Sequence, residues 1–157
     1  MRKWINLCET IDPAAVVHAL RDKWIAEMGK TPKEINNGLC FDFAEALEHQ
    51  HPDMFEAEGF GNFMNHDFDA GEDCDDATGF DQKWLQHKPK WHPPEGLDWD
   101  DMFKIFSWDG THGWAYCKQN GLCYDIEHPD GVANVFDLTF LQPHIRHYRD
   151  EKMQAGK

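Results

Sequence analysis

Apolar and polar positions change rhythm twice along this chain. From residue 12 to residue 50 the rhythm is helical. Asp12-Pro13 reads as an N-cap followed by proline at the first helical position, and Val16, Val17, Leu20, Trp24, Ile25 and Met28 form one stripe that Gly29 ends. Thr31-Pro32-Lys33-Glu34 has capping-box spacing and predicts a short helical turn. Asn37-Gly38 is a turn pair, and Leu39, Phe43 and Leu47 then recur at four-residue spacing. A helix is therefore expected from about Leu39 or Cys40 to about Gln50, where Pro52 stops it.

Through the middle of the chain the periodicity is poor. Glu58 to Asn62 suggests a short strand or a loop. Lys83 to Asp100, with Trp84, Trp91, His92-Pro93-Pro94 and Trp99, predicts an irregular crossing over the core. Met102 to Trp108 is apolar enough for a buried strand. Alternation sets in after Gly110. Two aromatic-rich runs, His112 to Lys118 and Leu122 to Glu127, flank Asn120-Gly121, which is a hairpin signature. His112, Trp114 and Tyr116 share one face of the first strand. Pro129-Asp130-Gly131 is expected to turn the chain away, and Asp137 to cap a last helical region interrupted at Pro143. The tail, about 150–157, is expected to fray. Residues 1–157 read as one α+β domain, with N-terminal helices packed on a small antiparallel sheet.

Composition narrows the classes of function. Aromatic residues make up 13% and apolar residues 41% of 157, enough for a real core. A net charge of −14 argues against binding nucleic acid or an anionic membrane and permits a basic partner. No apolar run is long enough to span a bilayer, and Met1 to Ile5 lacks the apolar centre of a signal peptide. Five cysteines with no CxxC pair read as reduced thiols in a cytoplasmic protein. The acidic loop at about 65–81 resembles a calcium loop, but a loop starting at Asp67 has Glu72 where glycine is needed and Thr78 where glutamate is needed. No spacing among the histidines and cysteines supports zinc, so neither a metal nor another cofactor is expected.

One constellation carries chemistry. Cys40, at an expected helix start, would face unsatisfied backbone N–H groups that favour thiolate. His112 can act as its base, and Asp125 or Glu127 on the next strand can orient the imidazole. The backbone N–H of Cys40 and the side chain of Asn37 are the candidate oxyanion donors. Hairpin register does not separate the two carboxylates by face. A two-residue turn at Asn120-Gly121 makes Glu127 the diagonal neighbour of His112. A four-residue loop, Lys118 to Gly121, puts Glu127 opposite His112 and makes Asp125 the diagonal neighbour.

Asn37-Gly38-x-Cys40-x-x-x-Ala44, His112-x-Trp114 and Tyr124-Asp125, in that order, resemble the papain-like and transglutaminase-like cysteine enzyme superfamily. The similarity covers about residues 36–48 and 110–131 and is to the compact members found in bacteria and phages. It implies a papain-like fold, in which the cysteine begins a helix packed on an antiparallel sheet and the histidine and acid lie on neighbouring strands. It also implies a Cys40–His112–Asp125 triad, with Glu127 the alternative acid. Trp114, on the His112 face, is then expected to contact substrate. Papain-type enzymes place a Gln several residues before the cysteine; here Glu34, Asn36 and Asn37 stand in that neighbourhood. The expected function is a thiol-dependent hydrolase or acyl transferase acting on an amide or isopeptide bond of a protein or peptide. The alternative is an acidic binding or inhibitor protein, of phage anti-defence or nucleic-acid-mimic type, on an inactive enzyme-like scaffold.

Overall fold

A computed structural model describes residues 11–60, 82–108 and 112–155. The expected acidic loop at 65–81 lies outside them. Helix α1 spans Pro13–Met28. The Asp12 carboxylate accepts from the N–H of Ala14 at its start, and Gly29 closes it at φ 64°. Helix α2 spans Pro32–Gln50 as two helical segments that meet at Leu39, so the second begins where the sequence places a helix start. The capping box starts the helix itself: Thr31 Oγ1 accepts from Glu34 N–H, and the Glu34 carboxylate accepts from Thr31 N–H. With Pro32 at its head the first segment carries Asn37-Gly38 in helical conformation rather than in a turn, and it ends at Leu39, φ −123° and ψ 21°.

Strand β1, Phe55–Phe60, follows a tight turn. A 3-10 segment covers Gln82–Lys90, and helix α3 covers Trp99–Trp108. Met102 to Trp108 is thus helical rather than a strand. Asp98 and Asp101 cap each other's backbone N–H groups and nucleate the helix just before that apolar run. Strands β2 (His112–Cys117), β3 (Cys123–Asp125) and β4 (His128–Val132) complete an antiparallel sheet of order β1-β2-β3-β4. Pro129-Asp130-Gly131 therefore does not turn the chain away but lies within β4. Two 3-10 turns, Val135–Asp137 and Thr139–Leu141, lead into helix α4, Gln142–Ala155. Asn134, not Asp137, caps the first of these turns, and Pro143 sits in the opening turn of α4, where its missing N–H is harmless. The tail is helical to Ala155 because Lys152 and Tyr148 both bind Asp101 of α3.

The sheet separates two cores. One lies between α1, α2 and the face carrying Phe55, Ala57, Ala115, Cys117 and Tyr124, with Val17, Ile35, Phe43 and Leu47 contributed by the helices. The other face carries Trp114, Tyr116 and Cys123 against Trp91, Met102, Phe136, Leu138 and Ile145. Both fill from the strand alternation read in the sequence, since consecutive β2 residues point to opposite faces. No described helix is long and apolar enough to cross a membrane.

Candidate functional site

The kink at Leu39 and the first residue of β2 meet at one end of the sheet. Cys40, the residue after the kink, lies against Gly113, whose N–H donates to its sulfur at 3.4 Å. Glycine is needed there. A Cβ on Gly113 would fall 2.7 Å from Phe41 Cδ2 and 2.9 Å from Phe41 Cα, so only a bare backbone lets α2 come this close. Cys40 is half-buried.

His112 is fully buried beside it. Its Nε2 donates to Asp125 Oδ2 at 2.9 Å, and its ring stacks on Phe140 at a centroid separation of 4.4 Å and 13°. Nδ1 is the nitrogen left for the thiol. It has no partner within full hydrogen-bond geometry, Cys40 included.

The register explains which acid reaches the imidazole. Tyr116 pairs with Cys123 and the N–H of Cys117 donates to Leu122, so the hairpin has the four-residue loop, with Gly121 at φ 75°. Asp125 is then the diagonal neighbour of His112. Strand β3 ends at Asp125, and the chain reverses through Ile126-Glu127 so that Asp125 pairs with His128. That reversal carries Glu127 away from the position opposite His112. Its Oε1 accepts instead from Asn36 Nδ2 at 2.8 Å.

Asn36, which the sequence places only in the neighbourhood of the papain-type Gln, has a role beside the acid that sequence reasoning did not assign. It is buried on α2, four residues and thus about one turn before Cys40, a spacing that could have flagged it. Its amide donates to Asp125 Oδ2 at 3.2 Å as well as to Glu127. The amide orientation follows from chemistry, because the opposite flip would aim a carbonyl at two carboxylates. Asp125 Oδ1 accepts from the N–H groups of Glu127 and His128, each at 3.0 Å.

Electrostatics couple the three groups. Burial alone would raise the Cys40 pKa, but hydrogen bonding and charge from His112 and the N–H groups of Gly113 and Phe41 outweigh it and lower it. Burial would lower that of His112, yet Asp125 and Cys40 reverse the effect and raise it to about 9. Asp125 is held below the usual carboxylate value against its burial by His112 and Asn36. All three shifts run toward the thiolate, imidazolium and carboxylate forms.

Two expected site residues sit elsewhere. Trp114 is fully buried, 6.1 Å from Trp91 between ring centroids, so it packs the second core and is not available to substrate. Asn37 is exposed and lines a cavity of about 410 Å³. Glu127, Phe140 and His144 border the same cavity, and the Phe140 ring that lines it also stacks on His112. No protein-family model, curated protein or solved structure matches this chain.

Proposed function

We propose that the protein is a thiol-dependent hydrolase or acyl transferase acting on an amide or isopeptide bond, on a compact papain-like scaffold. One observation carries the reading: a half-buried thiol, a buried imidazole and a four-donor carboxylate in sequence, from three separate elements. In the proposed reaction the Cys40 sulfur attacks the carbonyl carbon and the C–N bond breaks. The His112 imidazolium gives its proton to the leaving amine. Water, deprotonated by the now neutral imidazole, or a second amine then displaces Cys40 from the thioester. Asp125 fixes the ring and stabilises its cationic form. The backbone N–H of Cys40 is the proposed oxyanion donor. Free thiols at Cys40, Cys117 and Cys123 suit a reducing, cytoplasmic setting. A net charge of −14 favours a basic protein or peptide substrate.

Trapping tests this. A panel of lysine- and arginine-rich peptide thioesters and amides is incubated with the protein, quenched in acid and analysed by mass spectrometry. An acyl adduct on the Cys40 peptide, absent in Cys40→Ala and His112→Asn, is the expected result. Turnover that survives Cys40→Ala would refute it. The same charge favours a second reading, an acidic binding protein. In that case a basic partner binds Cys40→Ala and wild type alike, and binding weakens steeply with salt.

A further inference from the structure

Strand β1 presents Glu56 and Glu58 two residues apart, hence on one face of the sheet, opposite Tyr116 and Trp114 of β2. The 3-10 segment lays His87 across them. His87 Nε2 is 2.7 Å from Glu58 Oε2, and one donor atom from each of Glu56, Glu58 and His87 lies within 4.8 Å of the others. The group is built into the fold: Glu58 is fully buried and His87 only 6% exposed. The His87 ring is stacked on Tyr116 at 3.6 Å and 18°, and it tilts against Trp91 at 5.4 Å. Its aim at the two glutamates is therefore fixed by packing before any ligand arrives.

Two carboxylates and a neutral imidazole sum with a dication to an uncharged site. One imidazole nitrogen and two carboxylate oxygens are also the donor set of a three-ligand zinc-type site with an open fourth position. Glu56 is half-buried and gives access from the edge of the sheet. Gln86 Nε2, 3.4 Å from Glu56 Oε1, supplies an orienting donor behind the ligand.

We infer that Glu56, Glu58 and His87 form a binding site for a divalent first-row transition ion of the zinc class. The ion replaces the hydrogen bond between His87 Nε2 and Glu58 Oε2, and the single proton of the neutral imidazole moves to Nδ1. The site stands independently of the Cys40 chemistry. The spacing Glu-x-Glu with a histidine 29 residues on carries no metal signature in sequence, since the third ligand arrives only through the fold.

The full chain, stripped of metal by chelator, is titrated with Zn²⁺ against a chromophoric chelator. Wild type and Cys40→Ala are expected to bind equally, which separates this site from the triad thiol. Glu56→Gln and His87→Leu, each checked for fold by circular dichroism, should weaken binding by at least roughly tenfold. The half-buried position of Glu56 makes its variant the safer of the two if His87→Leu unfolds. Failure of wild type to compete, affinity unchanged in Glu56→Gln, or affinity lost in Cys40→Ala alone would overturn the site and leave a structural Glu58–His87 pair.

Discussion

Asp125 receives four hydrogen bonds, two on each oxygen, and only one of them comes from His112. The β-turn and Asn36 therefore hold the carboxylate whatever the imidazole does, and the carboxylate in turn holds the imidazole. Asp125→Asn should keep the fold and lower turnover by orders of magnitude, because the ring loses its orienting charge. Glu127→Gln should cost far less, since Glu127 touches Asn36 and not His112. Near-normal turnover in Asp125→Asn beside a dead Glu127→Gln would reverse the two assignments. Asn36→Ala removes one donor from two carboxylates at once. A loss of about 1–3 kcal/mol in urea unfolding is expected from the unpaired buried groups, together with lower turnover. Unchanged stability and turnover would show that Asn36 fills space only. The sign of the His112 effect is also testable. Its pKa is raised on folding, so its contribution to stability is complete below the ordinary value of about 6.5 and fades as pH rises through about 9. Wild type should lose stability over that interval relative to His112→Asn.

At the scale of elements, the site depends on the approach of α2 to β2. Gly113→Ala drives a methyl into the Phe41 backbone, where little can yield. The expected cost is about 1–3 kcal/mol, with slower Cys40 chemistry as the helix start moves off; a neutral outcome would mean that the two elements are not in contact. The docking of α4 on α3 is tested by acid. Burial opposes ionisation of Asp101, but Lys152, the Asp98 N–H and Tyr148 bring its pKa down to about 2. The stability it confers is present above the ordinary carboxylate value and is lost as pH falls toward about 2. Melting temperatures of wild type and Asp101→Asn should therefore differ at pH 6 and converge toward pH 2. Elements with local signals were legible in the sequence: α1 from Asp12, Pro13 and Gly29, and the hairpin from Asn120-Gly121. The helix start at Leu39 or Cys40 was legible from the Leu39, Phe43 and Leu47 spacing; Asn37-Gly38 is helical rather than a turn because the Thr31 capping box upstream carries a first segment through both residues. Met102 to Trp108 was misassigned because a short apolar run does not distinguish a buried strand from a helix, and the deciding Asp98–Asp101 cap lies outside the run.

For the molecule as a whole, the α+β class followed from periodicity and alternation, and the meeting of Cys40 with His112 from the resemblance carried by their motifs. What the sequence could not show lies between elements. The choice of Asp125 over Glu127 depends on where β3 stops. The burial of Trp114 depends on Trp91 arriving from a distant segment, and Asn36 acquires its role only once β3 and β4 close against α2. The same closure makes the pair of Cys40 and His112 an electrostatic unit, and that unit is the central claim. Its most direct test is the rate at which iodoacetamide alkylates each cysteine as a function of pH, resolved by peptide mass spectrometry in wild type and His112→Asn. The expected result is a Cys40 reactivity profile that extends well below the ~8.5 of a free thiol in wild type and returns to it in His112→Asn. A Cys40 profile at or above that value, unchanged by loss of His112, would contradict the account.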